Sequence, residues 1–266
     1  MNRGLSAVGS GAPTPGTCTD LWSLSVLLFY MFVQNHPLLG KRESNTVARG
    51  LLDDADVCRL IGQNPVFIFD PSDASNAPDA VAQGTALAMW SIYPNFVRTL
   101  FIRAFTDGIR DPLNGRVGES EWRKAMARLR DSIVYCPDCG CECFADVVGR
   151  NEPQQNSAVC WACGRNFRLP ARLKFRSGEV VMLNARTMLY PHHVDANRPY
   201  DFSTPVASVS KHPSRPDVWG LKNLTAQSWT AAPPNGVATE VPQGRTARIL
   251  DGMRIHFGGA DGEIIA

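Results

Sequence analysis

The chain has 266 residues, 44% of them hydrophobic and 20% charged, with a formal net charge of +2. That composition excludes an intrinsically disordered chain and leaves room for one large domain or about two or three small ones. The near balance of charge argues against a bulk polyanion such as DNA as the dominant electrostatic partner.

Met1–Thr19 is rich in Gly, Pro and Ser and reads as a flexible lead (residues 1–19) with no export signal. Asp20 is expected to N-cap a helix over Leu21–Val33 that stops before His36-Pro37. Its apolar run from Leu24 to Val33 is too short to span a bilayer and reads as a buried helix. A second helix is suggested over Thr46–Leu52, followed by the short apolar run Pro65–Asp70 and an acidic loop over Asp70–Asp79. Pro94–Phe105 has helical period, with Phe96, Leu100, Ile102 and Phe105. Glu119–Leu129 is amphipathic, with Trp122, Met126 and Leu129 on one face.

From Cys136 to Cys163 the chain turns to cysteine, glycine and polar residues. Cys136-Pro137-Asp138-Cys139-Gly140 and Cys160-Trp161-Ala162-Cys163-Gly164 form two C-x-x-C-G knuckles separated by twenty residues. Without an export signal the eight cysteines are expected to be reduced, so short pairs point to metal rather than disulfides. Two such knuckles offer a tetrahedral four-cysteine set with no open position for a substrate water, which selects structural Zn2+, with rubredoxin-type iron as the alternative. Losing the metal should unravel about 35 residues. Cys141 and Cys143 are the remaining thiols of this segment, and they could replace Cys139 only by a register slip. Cys18 and Cys58 lack paired ligands and read as small buried residues. Arg150, Arg165, Arg168, Arg172, Lys174 and Arg176 make the neighbourhood basic, which reads as a solvated face beside the knuckles.

Beyond Leu173 the pattern becomes short strands: Glu179–Leu183, Val206–Ser210, Val218–Leu224, Val237–Val241 and Arg254–Phe257, bounded by Gly, Pro or Asn. Their spacing suggests a small β-sandwich. His192-His193 reads as a polar surface pair, and His212 and His256 have no partner identifiable from the sequence.

Three stretches resemble known families. Thr19-Asp20-Leu21-Trp22-Ser23-Leu24-Ser25 and the run to His36-Pro37-Leu38 resemble the central helix of a bacterial-type Ser/Thr protein-kinase C-lobe, with Ser25 in place of the usual Gly. Gly108-Ile109-Arg110-Asp111-Pro112, Arg116 and Glu121-Trp122 resemble the block before the last kinase helices. The resemblance covers residues 20–135. It implies that Asp20 accepts hydrogen bonds from catalytic-loop backbone and that Arg116 pairs with a glutamate upstream, where this chain has no acid before Asp20. The Gly-rich loop, Lys, catalytic Asp and Mg2+-binding Asp that phosphoryl transfer needs are absent, so no catalytic residue and no ATP site is expected. The chain then reads as a fragment of a kinase gene or a remnant used as a scaffold.

Residues 136–168 resemble a zinc ribbon, and residues 169–266 resemble a forkhead-associated domain. The latter rests on Ser210-Lys211-His212, Trp219-Gly220-Leu221-Lys222-Asn223-Leu224, Asn235-Gly236 and Leu250-Asp251-Gly252-Met253-Arg254-Ile255-His256-Phe257-Gly258. It implies phosphothreonine recognition through Ser210, Lys211 and Asn235, weakened because Met188–His193 lacks the family's Arg. The expected class is thus multi-domain α + β: a helical kinase C-lobe fragment, a zinc ribbon and a small all-β sandwich. The expected role is non-catalytic signalling in the cytoplasm with a protein partner, phosphorylated or not, and no membrane contact. A stand-alone adaptor or pseudokinase scaffold and a nucleic-acid-binding zinc ribbon are the alternatives, with nucleic acid the less favoured partner.

Overall fold

The computed structural model describes residues 16–48, 50, 53–146 and 156–266. The expected lead therefore lies outside the described residues except for its last four positions, as do Arg150 and the residues before Gly16, where the kinase resemblance places a glutamate for Arg116. The chain forms two compact units. One runs through Ser91 and resumes over Phe96–Trp122; the other comprises Ile92–Asn95 and Arg123–Ala266.

The first unit is helical. Helix α1 spans Thr17–Val33, so it begins before the expected cap. The Asp20 amide already donates to the Gly16 carbonyl, and the Gly16 amide donates to the Thr19 hydroxyl at 2.9 Å. Gly16 is the cap, and Asp20 sits exposed in the first turn, where a carboxylate favours the positive helix end. Helix α2 is Lys41–Val47, starting five residues before the expected Thr46–Leu52 and sharing Thr46 and Val47 with it; Arg49, Leu51 and Leu52 lie outside the described residues. Asn76 decides that start: its Oδ1 accepts from the Arg42 amide, and its Nδ2 donates to the Leu38 and Val66 carbonyls. Gly40 is required because any Cβ there would collide with the Asn76 carbonyl.

Helix α3 (Asp54–Cys58) runs into a π-helical turn at Arg59–Gln63. Helices α4 (Gly84–Ile92), α5 (Asn95–Phe105) and α6 (Asp107–Arg110) follow, and α7 (Glu119–Asp131) begins in this unit and belongs to the second from Arg123 onward. The face that α5 buries is Val97, Phe101, Ala104 and Phe105, one position round from the expected stripe. The spacing i, i+4, i+7, i+8 is the helical period, so the period was right and the phase was set by packing. Phe29 of α1 is the hub. It lies 5.3–5.6 Å from Phe67, Phe101 and Phe105 in edge-to-face contacts, and Phe69 stacks on Trp90 at 4.3 Å. Cys58 is exposed and Cys18 half-buried, which corrects the expectation that both are buried.

The second unit is mainly β. Strands β1 (Ile133–Tyr135) and β2 (Glu142–Phe144) form one hairpin, and β3 (Ser157–Val159) and β4 (Asn166–Arg168) another. Then come β5 (Arg172–Phe175), β6 (Val180–Met182), β7 (Met188–Leu189) and the short helix α8 (Pro191–Val194). The chain continues with β8 (Ala207–His212), β9 (Arg215–Asn223), β10 (Trp229–Ala232) and β11 (Thr239–Val241). It ends with β12 (Thr246–Arg248), β13 (Arg254–His256) and β14 (Asp261–Ile265).

These strands make a six-stranded sheet, β11-β10-β13-β14-β5-β6, and a four-stranded sheet, β12-β9-β8-β7. Both sheets feed one core: Leu173, Val181, Trp229, Ile255 and Ile264 from the first, and Leu189, Ala207, Val209, Leu221 and Ala247 from the second. The alternation of inward and outward residues along β8 (Ala207 and Val209 in) fixes its register, because a one-residue slip would expose that whole set.

Candidate metal centre

Each knuckle is built the same way. The Gly140 amide donates to the Cys136 carbonyl at 2.9 Å, and the Cys136 amide to the Cys141 carbonyl at 2.9 Å. In the second, Gly164 donates to Cys160 at 2.8 Å and Cys160 to Arg165 at 2.9 Å. Gly140 and Gly164 hold φ of +72° and +71°, a left-handed turn that L side chains rarely adopt. That turn brings both sulfurs of a knuckle to one side.

The two knuckles then meet. Sγ of Cys136 lies 3.7 Å from Sγ of Cys163, and Sγ of Cys139 lies 3.6 Å from Sγ of Cys160. All four sulfurs fall within 4.8 Å of one another. A tetrahedron with Zn–S bonds of about 2.3 Å has edges of about 3.8 Å, so the set fits zinc. The Cys160 thiol is lowered to about 6, first by the Cys163 amide, against the opposing effect of burial, and then by the Ala162 amide. At Cys160 inward-pointing amides thus favour the thiolate that a metal needs, whereas at Cys139 and Cys163 the amides of Cys141 and Arg165 are outweighed by burial and the neighbouring thiols, so those two are raised and a cation is required to ionise the whole set. The four residues would hold a Zn2+ ion whose chemistry is structural, since four thiolates fill its coordination.

Support for the knuckles comes from a very small core: Val134, Cys136, Cys143, Ala145, Cys160, Phe167, Leu169 and Met182. Three of those eight residues are cysteines. Cys143 is buried in this core, and Cys141 packs against it half-buried. An Arg165–Asp138 ion pair at 3.0 Å links one knuckle to the other, and Trp161 Nε1 donates to the Glu142 carbonyl at 2.8 Å. Met182 belongs to β6, so the knuckle core and the two-sheet core are joined through one strand.

The remaining expected site residues are dispersed. Arg116 donates to the Cys18 carbonyl and lies over the Trp22 ring at 5.1 Å, while its Nε is buried without a partner among the described residues. Burial lowers its pKa, and no carboxylate faces it among the described residues. Ser210 and Lys211 lie on β8, where Ser210 pairs with Gly220 and the Lys211 ammonium sits 4.8 Å over Trp219. Asn235 is exposed in the turn between β10 and β11 of the other sheet. No described hydrogen bond joins Asn235 to the other two.

The histidines have partners that differ from the sequence expectation. His193 is 4% exposed, not a surface residue: its Nδ1 accepts from the Tyr190 amide at 2.9 Å, and its Nε2 faces Asp131 at 3.2 Å. His192 is half-buried and stacks on Tyr200 at 5.2 Å. His256 is partnered by Asp261 at 2.7 Å, and His212 Nδ1 accepts from the Ser214 amide at 3.2 Å. These partners are distant or turn-local, so a sequence pattern gives no sign of them.

Asn223 is a polar anchor that no sequence motif marks. Fully buried, it donates to the Gln227 and Val241 carbonyls and accepts from Thr225, which orders the loop after β9. The signal was its place at the end of a strand, directly before Leu224-Thr225. Among the described residues no helix is long and apolar enough to cross a membrane. No protein-family model, curated protein or solved structure matches the chain.

Proposed function

We propose that this chain is a non-catalytic binding module of a signalling protein, with structural zinc holding its ribbon. The closed set of four cysteines carries this reading: their thiolates converge within 4.8 Å and leave no coordination position for a substrate. The zinc-ribbon, C-lobe-like and forkhead-associated-like assignments are the finer form of the proposal, with residues 20–135, 136–168 and 169–266 as its working parts.

Two observations support the finer form. Arg116 sits against the start of α1 with a buried Nε and, among the described residues, no carboxylate partner, as expected for a kinase strut separated from its glutamate. The strand-rich end closes two sheets over one core, with buried Asn223 standing where the forkhead-associated pattern places an Asp after its Trp-x-Leu. On this reading Ser210, Lys211 and Asn235 are the phosphopeptide candidates. A nucleic-acid role for the ribbon has less behind it, because Arg165 is already neutralised by Asp138.

The decisive experiment combines metal analysis with two assays on the full chain. One zinc per chain, no transfer of labelled phosphate from ATP, and saturable heat with a member of a phosphothreonine peptide library are expected. Phosphate transfer would overturn the non-catalytic reading. A library without any heat would remove the phosphopeptide role and leave the scaffold.

A further inference from the structure

The second unit contains a cleft of about 970 Å³, at the upper end of the range for small-molecule sites. It lies away from the zinc centre and shares no residue with Ser210, Lys211 or Asn235. Its walls come from α7, the β5–β6 turn, α8 with the segment after it, and the β13–β14 turn. Phe175, Val180, Val194 and Tyr200 give it an apolar lining.

The polar groups around the cleft divide into those already committed and those left over. Asp131 is bound to His193, and Arg128 to Asp146 at 2.9 Å. Asp261 is shared by His256 at 2.7 Å and Arg176 at 3.6 Å, and Asp195 accepts from the Asn197 amide at 2.9 Å. Among the described residues five side-chain groups of the lining remain with no hydrogen bond or ion pair of their own: the Lys124 ammonium, the Glu179 carboxylate, Nε2 of His192 and the hydroxyls of Ser177 and Tyr200.

His192 is the most strongly oriented of the five. Its Nδ1 accepts from the Tyr200 amide at 3.0 Å, which places the ring proton on Nε2. The stack on Tyr200, with planes 18° apart, fixes the direction of that proton. Burial, then the neighbouring His193, lowers the pKa of His192, so the ring stays neutral and remains a donor. A cationic ligand would find one uncommitted acid and an opposing ammonium. An oxyanion finds four uncommitted donors, Lys124, His192 and the Ser177 and Tyr200 hydroxyls, against the single Glu179 carboxylate, and the apolar lining takes the group that carries it.

We propose that this cleft binds a small organic oxyanion, a carboxylate or phosphoryl group on an apolar body, with the His192 Nε2–H and the Lys124 ammonium on the anionic head. Nothing in this assignment depends on the phosphopeptide reading, so either can fail alone.

The test uses the zinc-loaded full chain with three probes: phenyl phosphate, benzoate and the uncharged control benzyl alcohol. Saturable shifts of the His192 ring protons with at least one anion are expected, with His212 unmoved. Response to only one of the anions would identify the head as phosphoryl or carboxylate. Lys124→Met, at an exposed position, should keep the fold and weaken that binding roughly threefold to tenfold. The proposal is overturned if neither anion saturates, if benzyl alcohol binds as tightly, or if Lys124→Met binds with unchanged affinity.

Discussion

The helical unit and the zinc knuckles reach order by opposite means. Around Phe29 the chain gathers Phe67, Phe101 and Phe105, large side chains each essentially removed from water, and their burial needs no ligand. The knuckles bury eight residues, three of them cysteines, beneath three-residue strands. So little apolar area cannot offset the entropy of ordering the segment, and metal ligation has to supply the difference. The same chain thus uses non-directional burial where it has aromatic residues and directional bonds where it has thiols.

Removing the metal should separate the two regimes most sharply. Structural zinc contributes apparent binding energies of about 10–16 kcal/mol, so chelation or Cys160→Ser is expected to abolish amide protection across Val134–Cys143 and Cys160–Phe167. Protection at Phe101 and Phe105 should persist. Retained knuckle protection after complete zinc removal would show that the small core suffices and would end the comparison. The reciprocal change is Phe29→Ala, expected to cost the helical unit about 3–5 kcal/mol while zinc stoichiometry stays at its original value. Denaturant melts followed by exchange at Phe101 would measure it.

Acid offers a subtler discrimination. Burial holds His36 down to about 4, and its Nδ1 accepts the Leu38 amide at 3.1 Å. The folded helical unit therefore prefers the neutral ring. Its contribution is complete above the unfolded value near 6.5 and is lost as pH falls toward about 4. His36→Gln should flatten that slope, read at Phe67 amide exchange so that acid release of zinc does not intrude; an unchanged slope would remove His36 from the account.

Within the knuckles, Gly140→Ala at φ +72° should cost about 1–2 kcal/mol and weaken zinc binding correspondingly in a competition titration. Arg165→Ala breaks only an exposed ion pair, so a loss below about 1 kcal/mol is expected from the same titration. A larger loss would mean that the Asp138 link carries part of the metal's task.

The candidate metal centre was legible in the sequence because its information is local. A C-x-x-C-G turn specifies both sulfurs and the left-handed glycine within five residues, and two copies complete the ligand set. Helical period and strand alternation were legible for the same reason, as α5 and β8 show. Their phase and limits were not. Gly16 rather than Asp20 caps α1, and Asn76 decides where α2 begins, through contacts that composition does not encode.

What the sequence determined by itself is therefore the identity of the four thiolates, the order of a helical part before a strand-rich part, and the periods of individual elements. Tertiary structure alone decided the rest. It turned His193 inward to Asp131, sixty-two positions earlier, buried Asn223 as a loop anchor, and left His192 and Lys124 facing a cleft. Thiolate ligation is written in neighbouring residues, whereas the pairing of a buried polar group depends on which distant segment packs against it.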